Sequence, residues 1–133
     1  MSDSYKPLLA AIIARLKADV SITSQVGQRI YNDVPDNETF PYISVTISSS
    51  PFDTKTGAGM EHNLQFNIYS RQTSSNEAAT IRAAIYNSLN RQESVLSAAG
   101  VDVIIFNGVA PTFKEPDGKT WNGVIQFKVM IGD

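Results

Sequence analysis

The sequence predicts an α+β fold, an antiparallel sheet of about four strands with two main helices packed on one face. Two well-separated stretches carry apolar residues at helical spacing. Segments of strict alternation follow each of them, and the order helix, two strands, helix, two strands gives both helical stripes a strand face to cover. At 133 residues the chain has the size of one domain, and residues 1–133 read as a single unit.

The first helix rests on Tyr5, Leu8, Leu9, Ile12, Ile13 and Leu16, which recur every three or four residues while Arg15 and Lys17 fall off the line. Ser4 is its candidate cap, and Pro7 is tolerable because it lies in the first turn. Residues 21–26 form a further short helical piece stopped by Gly27 as a left-handed cap, and residues 28–32 are briefly extended. Two prolines and three carboxylates make residues 33–41 a loop.

Alternation then sets in. Ile43, Val45 and Ile47 face one way and Tyr42, Ser44, Thr46 and Ser48 the other; a second strand turns Leu64, Phe66 and Ile68 inward and Asn63, Gln65, Asn67 and Tyr69 outward. Residues 51–59 between them, rich in Gly and Thr, read as a mobile connection too long for a tight hairpin. Ser74 with Glu77 makes a capping box, after which Ala78, Ile81, Ile85 and Leu89 trace one stripe to about Asn90. Residues 95–99 add a short turn ended by Gly100. A β-prone run at 101–106 continues brokenly over 109–114, Pro116, Asp117 and Gly118 supply a tight turn, and a last strand places Ile125, Phe127, Val129 and Ile131 on one side.

Composition narrows the function. Apolar residues are 42% and aromatics 9% of the chain, enough to fill a core. A net charge of −2 lacks the basic excess that binding nucleic acid through its phosphates requires. With no cysteine and one histidine, disulfides, thiolate zinc sites, a Cys nucleophile and His-rich metal sites are excluded, and no cofactor is expected. The apolar run 8–14 falls far short of the ~20 residues that span a bilayer. Arg15 and Lys17 stand where a cleavage site should be, so no export signal, a cytosolic start and no membrane partner are expected.

Charged residues are only 18% of the chain, and residues 39–52 contain none. The outward faces of the two central strands, with Ser44, Thr46, Asn63, Gln65, Asn67 and Tyr69, carry neither Lys nor Glu, although exposed sheets usually recruit charge. Such a face is either an interface, which avoids buried unpaired charge, or a wet Ser/Thr surface. His62 reads as a solvent-facing strand residue, since no local motif gives it a nucleophile and an orienting acid. Lys55–Thr56–Gly57 lacks the companion elements of the serine β-lactamase set, and Gly57 and Gly59 precede no helix that would hold a pyrophosphate. Asp33, Asp36 and Glu38 lack calcium-loop spacing and read as a solvated acidic loop. Trp121 is either an anchor for a partner or a plug at the end of the core.

Taken in order, these segments resemble the tail terminator, or tail-completion, family of long-tailed phages and gene transfer agents. The opening helix, Val26–Gly27, Arg29–Ile30–Tyr31, Val34–Pro35 and Pro41–Tyr42 are similar to that family's first third. Lys55–Thr56–Gly57, Glu61–His62 and Ile68–Tyr69–Ser70–Arg71 resemble its middle, and Pro116–Asp117–Gly118, Gly123–Val124 and Phe127 its end. The resemblance implies a structural subunit without catalytic residues, acting in the virion after assembly in the host cytoplasm. It implies a ring, usually of six copies, on the head-proximal end of the tail tube. The ring's partners are then other copies of itself, the tail tube protein and a head completion or neck protein, with DNA only as passing cargo.

Ring closure needs two different lateral patches on each subunit. The uncharged sheet edge and face are expected to form part of that contact, and the segment with Phe52, Asp53 and Lys55 to order on docking to the tube or neck. A head completion or connector subunit is the alternative reading. More remote are a small hydrolase or transferase using His62 and the acidic loop, and a ligand-binding module with an apolar pocket.

Overall fold

A computed structural model of the chain describes residues 5–54 and 57–132, with the side chains at 53, 54, 57 and 109–111 outside that description. The elements run α1 (Tyr5–Ala18), α2 (Val20–Val26), β1 (Ile30–Tyr31), β2 (Tyr42–Thr54), β3 (Gly57–Ser70), α3 (Asn76–Leu89), a 3-10 turn (Ser97–Ala99), β4 (Val103–Lys114) and β5 (Trp121–Gly132). Among the described residues the sheet has five strands in the order β1-β2-β3-β5-β4, rather than about four, and it is mixed. The short extended segment at Ile30–Tyr31 adds itself parallel to β2, pairing Ile30 with Ile43, while every other pairing is antiparallel.

The helices cover one face of the sheet, as the two apolar stripes require. Leu8, Ile12 and Leu16 of α1 and Ala78, Ile81, Ile85 and Leu89 of α3 are fully buried against Ile43, Val45, Leu64, Phe66, Ile68, Phe127 and Val129. Phe66 and Phe127 meet edge to face at 5.9 Å between ring centres, the geometry that the ring quadrupoles favour. Arg15 Nε donates to the Ser88 carbonyl at 3.1 Å and ties α1 to α3. The cap proposed for α1, Ser4, lies outside the described residues.

α2 begins one residue earlier than its sequence suggests, because Asp19 caps it. Asp19 Oδ1 accepts from the Ser21 amide at 3.0 Å and the Ser21 hydroxyl at 2.7 Å, and the Ser21 hydrogen bond leads in holding its carboxyl below the ordinary aspartate range. Gly27 ends α2 at φ 61 but ψ −131, a positive-φ conformation other than the left-handed helical cap expected. The expected capping box does not form at α3 either. Its N-cap is Ser75, without a side-chain bond, and Glu77 turns away: Oε1 accepts from the Ser70 hydroxyl at 2.7 Å and Oε2 from Gln72 Nε2 at 2.9 Å. The carboxylate thereby pins the end of β3 to the start of α3.

The described part of residues 51–59 lies in the strands, with 51–54 continuing β2 and 57–59 beginning β3, while residues 55 and 56 of the expected mobile connection lie outside the described residues. The β2–β3 register is unbroken from Tyr42 opposite Tyr69 to Thr54 opposite Gly57. Glycine serves close approach here: a Cβ on Gly59 would strike the Ile131 carbonyl oxygen and sit 2.8 Å from Phe52 Cζ and 2.9 Å from Gly132 Cα. The longer β3 also moves His62 from solvent into the core face, where it is fully buried with Nδ1 2.7 Å from the Ser49 hydroxyl. Period two puts position 62 on the side of 64, 66 and 68.

β4 is continuous but slips register between Phe106 and Gly108 and again between Ala110 and Phe113, the physical form of its broken sequence pattern. Its open side is not bare. The Asn90 carboxamide oxygen accepts from the Phe106 amide at 2.9 Å, Glu93 Oε2 from the Ile104 amide at 3.0 Å, and the Arg91 amide donates to the Ile104 carbonyl at 3.0 Å. Residues 90–93 thus stand in for a neighbouring strand and guard the edge.

Candidate interaction surface

The sheet face away from the helices is built in rows across β2, β3 and β5. Tyr42, Tyr69 and Asn122 form the first, Ser44, Asn67 and Val124 the second, Thr46, Gln65 and Gln126 the third, Ser48, Asn63 and Lys128 the fourth, and Ser50, Glu61 and Met130 the fifth. Amides bond across strands: Gln126 Nε2 donates to Gln65 Oε1 at 3.0 Å. A shallow hollow of about 430 Å³ opens here, lined by Thr46, Ser48, Asn63, Gln65, Asn107 and Gln126. The tertiary structure therefore brings Ser44, Thr46, Asn63, Gln65, Asn67 and Tyr69 onto one surface. The face is not wholly uncharged, because the longer β3 adds Glu61, which Lys128 Nζ meets at 3.4 Å. The paired charges sit at one end and leave the first three rows neutral.

The other three residues chosen with them lie elsewhere. Phe52 is near the hairpin end, its ring against Gly59; Lys55 and the side chain of Asp53 lie outside the described residues. Trp121 pairs with Ser70, on the helix-covered side of the sheet and not on the rows. Its indole Nε1 is buried without a hydrogen-bond partner among the described residues, and Lys114 Nζ stands 5.2 Å over its ring. That location fits the plug at the end of the core better than the partner anchor.

The Tyr42 end of the sheet was not legible as a cluster in the sequence. Tyr42 stacks on Tyr69 at 5.0 Å and meets Phe40 in a tilted contact at 5.1 Å, and the Arg71 guanidinium lies 4.2 Å over Phe40. Burial, first of all, raises the phenol pKa of both tyrosines. Arg71 Nε also donates to Thr120 Oγ1 at 3.1 Å, and its terminal nitrogen is 3.6 Å from Asp117 Oδ2. Two hollows flank Arg71. One, of about 520 Å³, includes Asp36, Asn37, Glu38, Phe40 and Tyr42; the other, of about 390 Å³, includes Gln72, Thr73, Lys114 and Lys119.

The enzyme reading loses its geometry here. His62 lies seven strand positions from Tyr69, so roughly 23 Å separates it from the end of the sheet where the acidic loop enters. Among the described residues no group of three or more acidic or histidine side chains could hold a metal ion. No helix there is long and apolar enough to cross a membrane.

A family model described as tail completion protein gp17 matches residues 10–132, nearly the whole chain. The chain belongs to the tail completion protein gp17 family. Membership makes it a structural component of the virion tail and not an enzyme. A chain in a structure titled "Virion of native gene transfer agent (GTA) particle" shares the fold: at 18% sequence identity, each chain is covered over 100% of its length with a TM-score of 0.84. No curated protein matches the sequence. For this tail completion subunit, a large neutral polar face with little machinery for chemistry is a coherent design, since a packed face avoids buried unpaired charge.

Proposed function

We propose that this tail completion subunit caps the head-proximal end of the tail tube as a ring of about six copies, stops tube polymerisation and presents the docking face for head joining. The observation that carries the reading is the family match across residues 10–132, since it excludes catalysis and leaves assembly as the output. The neutral rows from Tyr42 to Gln126 supply one dry-packing surface, and the β2–β3 hairpin with Phe52 supplies a second at its far end. Partners are other copies of the chain, the tail tube protein and a head completion or neck protein. DNA is passing cargo, which a mildly acidic chain does not retain.

Electron microscopy of particles assembled without the chain tests the proposal. Overlong tubes together with tailless heads are the expected result. Tails of normal length joined to heads that are empty or leaking would move the assignment to a head connector.

A further inference from the structure

One sheet edge is guarded and the other is partly engaged, which bears on what a lateral contact can use. On β2 the Ile43 amide donates to Arg29, so odd positions point their backbone outward; Asn32 Nδ2 takes the Val45 carbonyl at 2.9 Å, and Pro51 has no N–H to offer. The Val45 amide, Ile47, Ser49 and the Pro51 carbonyl remain, a short run. On β4, residues 90–93 cover Ile104 and Phe106, and two register slips disturb the remainder.

Side chains at the two edges differ in sign. The loop after β1, the strand at one edge, carries Asp33 and Asp36, both exposed and without an ion pair among the described residues. At the same end of the sheet, the last residue of β4, Lys114, and Lys119 of the turn that follows lie at the other edge, both exposed, and line the hollow beside Arg71. The acids of that turn are already engaged. Asp117 Oδ1 accepts from the Lys119 and Thr120 amides at 2.8 and 3.0 Å, Oδ2 from the Thr120 hydroxyl at 2.7 Å, and Glu115 Oε1 from Asn122 Nδ2 at 3.0 Å. No carboxylate lines the hollow, and Lys119 has no ion pair among the described residues. Four strand spacings, roughly 19 Å, separate β1 from β4. Arg71 stands between the two and borders both hollows, so the charge that distinguishes the edges is that of Asp33 and Asp36 on one side and of Lys114 and Lys119 on the other; opposite charge toward opposite edges is the pattern of a head-to-tail contact between copies.

We infer that the acidic loop of one copy, through Asp33 and Asp36, seats against Lys114 and Lys119 in the next. The inference rests on the ring reading and names the lateral contact within it. Particles lacking the chain are supplied with variants, and joined, tailed particles are counted by electron microscopy. K114E/K119E and D33K/D36K, each shown folded by circular dichroism, set like charges against each other and should lower the count by at least about tenfold. The quadruple variant, which exchanges the two signs, should restore it.

Because the chain has no cysteine, D36C/K119C gives a clean covalent readout. Oxidation of assembled particles should yield a ladder of linked copies extending past two. Folded reversal variants that work like the natural chain, a quadruple variant that stays inactive, or linkage stopping at two copies would each overturn this contact while leaving the ring reading intact. Normal tails in the complete absence of the chain would instead remove the ring reading and the contact with it.

Discussion

Replacing Gly59 by alanine tests the close packing of the start of β3 against the end of β5. The added methyl meets the Ile131 carbonyl oxygen, a backbone atom of β5, with Phe52 Cζ at 2.8 Å and Gly132 Cα at 2.9 Å. The Phe52 ring can swing away, but Ile131 can yield only by moving β5 off β3. Overpacking of this kind costs about 1–3 kcal/mol. In a chain of this size that lowers the thermal midpoint by roughly 3–15 °C. Gly118→Ala is the control: φ is 72 there but nothing lies within 4 Å, so only the backbone term of about 1–2 kcal/mol remains. Thermal unfolding by circular dichroism gives the size of the loss, and hydrogen exchange at Ile131 and Gly132 gives its location. Exchange at those two amides should accelerate in Gly59→Ala and not in Gly118→Ala. A Gly59→Ala chain with natural stability and natural exchange at both would refute the close approach of β3 and β5.

Phe127→Ala removes a fully buried ring that Phe66 and Phe106 meet edge to face, and should cost about 3–5 kcal/mol in a urea titration. Asp117 is held at about 2, first by the Lys119 amide and then by Thr120, below its unfolded value. Its contribution is therefore complete above the unfolded pKa and lost as pH falls through the folded one, so the stability of the natural chain should drop between roughly pH 4 and pH 2 more than that of Asp117→Asn. Asn90→Ala combined with Glu93→Ala removes the side-chain acceptors that guard β4 and should speed amide exchange at Ile104 and Phe106 and promote self-association in sedimentation; unchanged exchange would mean that the guard does nothing. Phe52→Ala with Lys55→Ala should lower tail attachment in a chain that still folds, and an undiminished yield of tailed particles would exclude the hairpin end from docking.

Local chemistry made much of the fold legible. Leu8, Ile12 and Leu16, and Ala78 through Leu89, announce buried helical stripes by spacing alone, and the alternation at 42–48 and 63–69 assigns both faces of β2 and β3. Errors arose where a side chain had two local options and a distant partner chose between them. Glu77 had the spacing to cap its own helix but binds Ser70 and Gln72 instead. His62 sat just past the point where the strand seemed to end, and extending the strand by period two carries it inward. Glycine was ambiguous for the same reason, since flexibility and close approach both require it.

The neutral rows of the interaction surface were half visible, because alternation names the outward residues without saying which strands stand side by side. Asn122, Val124, Gln126 and Lys128 join that face only because β5 inserts between β3 and β4, a choice made by burying Phe127 against Phe66. The clusters about Arg71 were not visible at all, since they join residues near 36, 71 and 119. By itself the sequence determined composition, period and turn chemistry, and with them an α+β subunit poor in catalytic means. Only the tertiary structure decided the strand order, the guarded edge and the placing of opposite charges at the two sides of one sheet. Pairing between distant strands is set by the shared core, and no local window of the chain contains that core.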